Sequence, residues 1–282
     1  MVNNEWKNFS VLATGNGEKL ENWNDVLLLR PDPQVIWKTK KDLSKTPKLN
    51  ARYIRSNKGG GHWETIISHP EEWIICWRNL QFLVKPMGFK HTGVFPEQAA
   101  NWAKMIDLIN DAKRPISVLN LFAYTGGATV ACLYAGASVT HVDAAKGMVD
   151  RAAQNVELNN LDKKKVRFIV DDCVKFVSRE IKRGKKYDAV IMDPPSYGKG
   201  PKGEMWKIEE KLFELCELCR EILSDKPLFF LINSYTTGLA PSVLSNILQL
   251  ILPKGSAECY EVCLPTEEGI VLPCGSSAIW TI

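Results

Sequence analysis

The sequence predicts an α/β protein in which a small β-rich domain precedes a larger, doubly wound and mainly parallel sheet. Three observations lead to this prediction. Short apolar runs bounded by Pro, Gly and Asn fill the chain up to residue 93. From residue 94 onward, short apolar runs alternate with segments of helical periodicity. The 282 residues are 45% hydrophobic, which is enough for a buried core.

Residues 1–93 form the predicted β-rich domain, to which we assign substrate recognition. Its strand-like runs are DVLLLR, QVIWK, WETII, WIICW and QFLVK. The segment also contains six tryptophans, at positions 6, 23, 37, 63, 73 and 77. Large aromatic side chains bury much apolar area, so we expect most of them to pack in the core of this domain.

Residues 94–282 form the predicted larger domain, which opens with a helix because Pro96 fits a first helical turn. The apolar runs ISVLNLF, SVTHVD, VRFIV, YDAVIMD and LFFLIN read as buried strands. Helices are expected to begin near Gly127, Lys146, Asp172, Met205 and Ala240. No helix separates the final runs ECYEVCL and SSAIWTI, which predicts an antiparallel last pair.

Composition limits the class of protein and its location. No run approaches the roughly 18 apolar residues of a membrane span, and the polar start of the chain does not resemble a signal peptide. We therefore expect a cytoplasmic protein without a membrane partner. Eight cysteines are too sparse for a disulfide scaffold. Cys216 and Cys219 lie on an amphipathic helical pattern, which predicts core packing and no metal site.

Positive charge is concentrated in one segment, although the net charge is only +4. Between Trp37 and Lys58, the single acid Asp42 stands against the basic residues Lys38, Lys40, Lys41, Lys45, Lys48, Arg52, Arg55 and Lys58. A second Lys- and Arg-rich stretch runs from Lys163 to Lys186. Such segments favour a phosphate backbone, and they are equally typical of a solvated basic loop.

Polar residues follow three successive strands at the edge where an open α/β sheet binds ligands. Gly126 and Gly127 allow close backbone approach to a ligand, and they also fit a tight turn without the G-x-G-x-x-G pattern. Asp143 ends the second strand, where a carboxylate can accept hydrogen bonds from a ribose diol. Asp171 and Asp172 can accept from an adenine amino group or cap a helix, and capping is the preferred interpretation for Asp171.

The fourth strand ends in the corner DPPSY, residues 193–197. Pro194 and Pro195 fix φ and remove two backbone donors, which leaves carbonyls that only accept. Together with Asp193, this corner suits a substrate amino group, and Tyr197 can stack on a planar base. The alternative is a proline-stiffened loop with a packed tyrosine.

Three segments together, NLFAYTGGATVACLYAGASVTHVDAAKGMVDRAAQNVELNNL, VDDCVKF and YDAVIMDPPSYGKG, resemble the class I S-adenosylmethionine-dependent methyltransferases. The similarity is greatest to the branch that contains the 23S ribosomal RNA C5-cytosine methyltransferases. KHTGVFPEQ also resembles that branch's entry to the domain. The resemblance implies a Rossmann-like seven-stranded sheet with an antiparallel last strand, and S-adenosylmethionine as the cofactor.

The resemblance also implies roles for individual residues. The methionine part of the cofactor would be held by Asn120, Tyr124, Thr125 and Gly126. Its nucleoside would be bound by Asp143 at the ribose and by Asp172 with Cys173 beside adenine. Phe95 and Gln98 would cover the cofactor. Asp193 and the Pro194 carbonyl would face the methyl donor and the acceptor base, beside Tyr197.

One departure from the branch changes the expected chemistry. The C5-cytosine relatives place a cysteine nucleophile after the fifth strand, where this chain has Asn233, Ser234 and Tyr235. A serine hydroxyl does not replace a thiolate, so the C5 reaction is not implied. We expect methylation of a base in ribosomal or other structured RNA. The alternatives are a small-molecule or protein acceptor and a non-catalytic cofactor- or RNA-binding protein, whereas an NAD oxidoreductase lacks its glycine pattern.

Overall fold

The computed structural model describes residues 1–56, 60–199 and 205–282. They form two compact units, one of Met1–Ala99 with Cys263–Cys274 and the other of Ala100–Val262 with Gly275–Ile282. The first unit thus ends later than residue 93 and includes a C-terminal segment, because backbone bridges join Val2 to Cys263 and Val11 to Thr266. Lys58 and Gly200, which fall in the predicted basic segment and in the DPPSYGKG motif, lie outside the described residues.

The first unit is built from β-strands. Its described strands are β1 (Phe9–Gly15), β2 (Glu18–Trp23), β3 (Val26–Pro31), β4 (Leu49–Arg55), β5 (Gly61–Thr65), β6 (Trp73–Trp77) and β7 (Leu80–Val84). β1 to β5 form one sheet in chain order, with β3 and β4 parallel and the other neighbours antiparallel. β6 and β7 form a separate antiparallel pair. The predicted β-rich character of this region is confirmed.

Two predictions for the first unit concern its tryptophans and the run QVIWK. Of the six tryptophans expected mostly in the core, Trp23, Trp73 and Trp77 are buried. The other three are half-buried. The run QVIWK is not a strand, so that prediction was wrong. The Val35 and Trp37 carbonyls instead accept from the Gly17 and Asn16 amides in the turn between β1 and β2, each at 2.9 Å.

The second unit alternates strands and helices. Its described helices are α1 (Ala99–Asp111), α2 (Gly127–Tyr134), α3 (Lys146–Leu158), α4 (Cys173–Lys182), α5 (Ile208–Glu221) and α6 (Pro241–Ile251). Its described strands are β8 (Ser117–Leu121), β9 (Ser138–Asp143), β10 (Val166–Val170), β11 (Ala189–Met192), β12 (Tyr197–Lys199), β13 (Met205–Lys207), β14 (Phe229–Ser234), β15 (Ser256–Pro265) and β16 (Val271–Thr281). The ends of β15 and β16 nearest their connecting loop belong to the first unit.

The large sheet has seven strands in the order β10-β9-β8-β11-β14-β16-β15. The first five are parallel, and β16 lies antiparallel to β14. This topology confirms the predicted fold class. Strand order reverses between β8 and β11, and ligands of open α/β sheets bind at such a reversal.

The helices fall into two groups, as a doubly wound sheet requires. α2 contacts α3 and packs its first residue on α1, whereas α5 contacts both α4 and α6. Cys216 and Cys219 are fully buried on α5, as predicted. The helix expected near Met205 begins later, at Ile208, because residues 205–207 pair with β12. None of the helices in the described part of the chain has the length and apolar character needed to cross a bilayer.

Candidate active site

The candidate site lies at the edge of the second unit where four parallel strands end. β8, β9, β10 and β11 run in one direction, so the segments that follow them meet at one edge of the sheet. Those segments are residues 122–127, 144–145, 171–172 and 193–197. They contain or directly adjoin most of the residues that the sequence predicted for the site.

The turn after β8 uses left-handed backbone, with φ of 50° at Tyr124 and 85° at Gly126. A side chain at Gly126 would place its Cβ 2.8 Å from the Cβ of Ala152 on α3. A Cβ at Gly127 would collide with the Trp102 ring on α1. Both glycines are therefore required by helix packing within the protein. This is a reason that the sequence did not reveal.

Asp143 ends β9 and faces this turn with both carboxylate oxygens hydrogen-bonded. Its Oδ2 accepts from the Tyr124 amide and its Oδ1 from the Ala145 amide, each at 2.8 Å. A carboxylate oxygen has a second lone pair, so the same group can also accept from two neighbouring hydroxyls. Burial raises the pKa of Asp143, and the two backbone donors oppose that rise. A carboxylate that can accept from two neighbouring hydroxyls fits the ribose of S-adenosylmethionine.

Asn120 and Thr125, both predicted to hold the methionine part of the cofactor, are only 3% and 1% exposed. The Asn120 amide donates to the Thr129 hydroxyl at 3.0 Å, and that oxygen lies 2.9 Å from Nδ1 of His141. The Thr125 carbonyl accepts from the Asn155 amide at 2.9 Å. These contacts fix the turn from inside the fold, and direct contact with methionine stays a prediction.

His141 is a site neighbour that the sequence did not single out, because a histidine within an apolar strand is ordinary core composition. The residue is fully buried on β9, and its ring meets Phe168 edge-on at 5.5 Å. Within the part of the chain that the structure describes, its Nε2 has no hydrogen-bond partner. Burial lowers the pKa of His141 to about 3, so the imidazole is neutral at ordinary pH.

Of the two acids after β10, Asp172 takes the capping role that was open to both, and Asp171 does not take the role preferred for it. Asp172 is the N-cap of α4, and its Oδ1 accepts from the Lys175 amide at 2.9 Å. Asp171 instead forms an ion pair with Arg179 and accepts from the Asp172 amide at 2.9 Å. The preference for Asp171 as the cap was wrong, because α4 begins at Cys173 and the residue directly before it is Asp172. A contact between Asp172 and adenine stays a prediction.

Cys173 follows the cap and is 3% exposed. Its Sγ accepts from the Phe122 amide at 3.4 Å, which ties α4 to the turn after β8. Burial raises the pKa of Cys173 far above the usual thiol range. The thiol is therefore protonated, and it cannot act as a nucleophile in this setting. Its predicted place beside adenine stays a prediction.

The corner after β11 is held by side chains from elsewhere in the unit. Oδ1 of Asp193 accepts from the side-chain amide of Asn233 on β14 at 2.8 Å. The Pro195 carbonyl accepts from the Trp206 indole at 2.6 Å. The Pro195 carbonyl is thus used internally, and the acceptor role expected for the Pro194 carbonyl stays a prediction.

Aromatic side chains flank this corner. Tyr197 begins β12 and is 51% exposed, with its hydroxyl 3.5 Å from Sδ of Met205. Trp206 lies opposite Gly198 in the β12–β13 pair, and its ring is 5.0 Å from that of Phe122. Trp206 was not among the predicted site residues, because a helix was expected to begin near Met205.

Phe95 and Gln98 belong to the first unit. Phe95 precedes the 3₁₀ turn Pro96–Gln98, and its ring meets that of His91 at 5.3 Å. The Gln98 amide donates to the Phe95 carbonyl at 3.0 Å. Their predicted role in covering the cofactor stays a prediction.

The fold and the site together define a nucleoside-binding α/β protein with the strand order of class I methyltransferases. A model of the S-adenosylmethionine-dependent methyltransferase family matches residues 49–224. A crystal structure of an S-adenosylmethionine-dependent methyltransferase from Agrobacterium tumefaciens is 31% identical with a TM-score of 0.93, covering 100% of this chain and 92% of that one. The chain belongs to this family. The family and the cofactor expected from the sequence are thereby confirmed.

Two further relatives carry names that refer to RNA. Ribosomal RNA large subunit methyltransferase I of Klebsiella pneumoniae is 37% identical over 124 residues, which are 44% of this chain and 30% of that protein. The similarity therefore spans less than a third of that relative's length. The tRNA m1G37 methyltransferase of M. jannaschii is 14% identical with a TM-score of 0.56, covers 97% of this chain and 74% of that one, and shares the fold alone.

Proposed function

We propose that the protein methylates an exocyclic amino nitrogen of a base in structured RNA, with ribosomal RNA as the expected substrate. The observation that carries this proposal is the corner after β11. There the Asp193 carboxylate accepts a hydrogen bond from Asn233, and Tyr197, four residues further on, is exposed. The Pro194 carbonyl is the second expected acceptor. An amino group has hydrogens for both acceptors, and a base has a face for the ring.

The chain's own residues align and deprotonate the acceptor. Hydrogen bonds from the amino group to Asp193 and to the Pro194 carbonyl direct the nitrogen lone pair away from the corner, toward the cofactor edge. When bound, S-adenosylmethionine supplies a sulfonium methyl whose carbon–sulfur bond breaks as the carbon–nitrogen bond forms. Asp193 takes the proton that the amino group loses. Positioning of this kind accounts for much of the rate in reactions with an activated donor.

Nitrogen is a better acceptor here than C5 of cytosine. Methylation at C5 requires a thiolate that first adds to the ring. Cys173 is buried, with a raised pKa and its sulfur bonded to the Phe122 amide. Asn233, Ser234 and Tyr235 stand where the C5 branch has its cysteine corner, and the Asn233 amide donates to Asp193.

Charge and similarity favour RNA as the acceptor class. Lys38, Lys40, Lys41 and Lys48 are exposed, and none forms an ion pair with an acid in the described ranges. Unpaired exposed lysines bind a phosphate backbone with little loss of internal contacts. The curated relative from Klebsiella pneumoniae is named as a ribosomal RNA methyltransferase. A cytoplasmic location, where ribosomal RNA is found, belongs to the same proposal.

Methyl transfer to extracted RNA tests the proposal. The protein is incubated with tritium-labelled S-adenosylmethionine and with ribosomal RNA, transfer RNA, protein and small-molecule fractions from cells that lack the gene. We expect label in ribosomal RNA. Digestion to nucleosides and mass spectrometry should then place the methyl group on an exocyclic nitrogen. Label on C5 would contradict the nitrogen acceptor, and label only in protein or small molecules would contradict RNA.

A further inference from the structure

A row of polar side chains, buried at its centre, runs to Asp193 from β15, the edge strand of the large sheet. The Tyr260 hydroxyl donates to Oδ1 of Asn101 at 2.7 Å, and Nδ2 of Asn101 donates to Oγ of Ser277 at 3.0 Å. The Ser277 hydroxyl donates to Oδ1 of Asn233 at 2.7 Å. Nδ2 of Asn233 donates to Oδ1 of Asp193 at 2.8 Å. The hydrogen bonds all point in one direction, toward the carboxylate.

The fold supplies these side chains from four elements. Asn233 on β14 and Ser277 on β16 are directly opposed in the antiparallel register. Asn101 lies on α1, and Tyr260 lies on β15. The three middle residues, Asn101, Ser277 and Asn233, are each 0% exposed. Buried amides and hydroxyls cost free energy unless they are hydrogen-bonded, and here each is bonded on both sides.

The direction of the row is set by the chemistry of its members. A serine hydroxyl has one proton, and Ser277 uses it on Oδ1 of Asn233 while it accepts from Asn101. The NH₂ group of Asn233 must then face Asp193. If the Asn233 amide were reversed, its oxygen would oppose the carboxylate and its NH₂ group would meet a hydroxyl proton. The observed direction therefore favours an ionised Asp193, and the opposite direction requires a protonated one.

We propose that Asn233 is a positioning residue that orients Asp193 and keeps it ionised, and that Ser277 and Asn101 fix the direction of the Asn233 amide. The role in methyl transfer rests on the proposed function, whereas the effect on Asp193 does not. The Asn233 amide is thus a neutral donor near the end of β14. This donor holds the proton acceptor of the reaction.

The first experiment needs no substrate. Side-chain amide signals of the ¹⁵N-labelled protein are followed by NMR between pH 3 and 8, and the Asn233 signals are assigned by their loss in Asn233→Ala. We expect the Asn233 amide shifts to follow one acid transition that is absent in Asp193→Asn. In Ser277→Ala the amide should exchange with solvent at least tenfold faster. A transition that persists in Asp193→Asn, or exchange unchanged in Ser277→Ala, would overturn the proposal.

The second experiment measures methyl transfer to ribosomal RNA across pH. Loss of a hydrogen bond to a charged group predicts that Asn233→Ala lowers kcat by about tenfold to a hundredfold. It should also move the acid midpoint of the pH–rate profile upward by about one pH unit, because a donor to the ionised form has been lost. The KM for S-adenosylmethionine should change by less than twofold. An unmoved acid midpoint would indicate a merely structural role.

Two matched variants, each of which removes one tyrosine hydroxyl, separate the effect of the row from a general loss of folding. Tyr260→Phe removes one hydroxyl at the end of the row farthest from Asp193, and it should lower kcat by about twofold to threefold with the same upward shift. Tyr187→Phe removes another buried hydroxyl, which donates to Glu180 at 2.6 Å, and should leave the profile unchanged. Equal profiles for the two variants would contradict the proposal. If the wild-type protein labels no RNA, the proposed function fails while the NMR titration still decides the role of Asn233.

Discussion

Asp143 and Asp193 both stand at the carboxyl edge of the sheet, yet they are held in different ways. Asp143 accepts from two backbone amides, those of Tyr124 and Ala145. Asp193 accepts from the Asn233 side chain, 40 residues away in the chain. Backbone donors survive side-chain substitution, whereas a side-chain donor is lost in a single mutation. The cofactor side should therefore tolerate substitutions around its acid, and the acceptor side should not.

Substitution of Asp193 should have the largest effect on methyl transfer. Asp193→Ala should lower kcat for methyl transfer by about 10²–10⁴-fold, because it removes the group that orients the amine and takes its proton. Binding of S-adenosylhomocysteine, measured by calorimetry, should stay within twofold of wild type. Asp225→Ala, at an exposed acid before β14, serves as the control. Full activity in Asp193→Ala would contradict its assigned role, and a tenfold loss of affinity would remove the distinction between the two acids.

The next effect concerns Asp143. Two hydrogen bonds from ribose hydroxyls to a carboxylate are together worth about 3 kcal/mol, or roughly a hundredfold in affinity. Asp143→Ala should weaken S-adenosylhomocysteine binding by about that factor in calorimetry, and Asp143→Asn should weaken it less because one acceptor oxygen remains. Asp150→Ala is the matched control, since its carboxylate is exposed on α3 and pairs with Lys146. An affinity within threefold of wild type in Asp143→Ala would refute ribose binding there.

His141, which lies beside the turn after β8, should make the stability of the protein depend on pH. An unfolded imidazole titrates near 6.5, whereas burial lowers the pKa of His141 to about 3. Between these values the unfolded chain binds a proton that the folded protein does not, so stability falls as pH falls. His141→Gln should remove a slope of about 1.4 kcal/mol per pH unit from the urea unfolding free energy. His62→Gln, at an exposed site, should keep the wild-type slope, and an unchanged slope in His141→Gln would contradict the assignment.

The smallest expected effect tests the exposed aromatic at the acceptor corner. Tyr197→Ala should raise the KM for RNA by about fivefold to tenfold, the lower part of the range for base stacking. Tyr197→Phe should stay within twofold, because the Tyr197 hydroxyl donates to a weak acceptor, the sulfur of Met205. Tyr134→Ala, at a residue 46% exposed on α2, is the control. Equal KM values for the two alanine variants would exclude stacking by Tyr197.

The two acids also differ in how far the sequence could predict their surroundings. Asp143 follows a strand pattern and meets a glycine turn, so its position at the ligand edge could be predicted. Asp193 could be placed at the end of a strand for the same reason. Its hydrogen bond to Asn233 could not, because that contact depends on β14 being the neighbour of β11. The N-cap of α4 was expected at Asp171 and is Asp172, one residue later. Both residues are aspartates with the same capping propensity, so propensity alone could not distinguish them.

The sequence by itself determined the alternation of strands and helices, the β-rich first part and the polar strand ends, because these depend on local periodicity and turn chemistry. Tertiary structure alone decided that Cys263–Cys274 joins the first unit, that Gly127 packs on Trp102, and that Asn233 meets Ser277. Each of these contacts joins residues far apart in the chain. Their pairing depends on strand order and register, which local patterns do not encode.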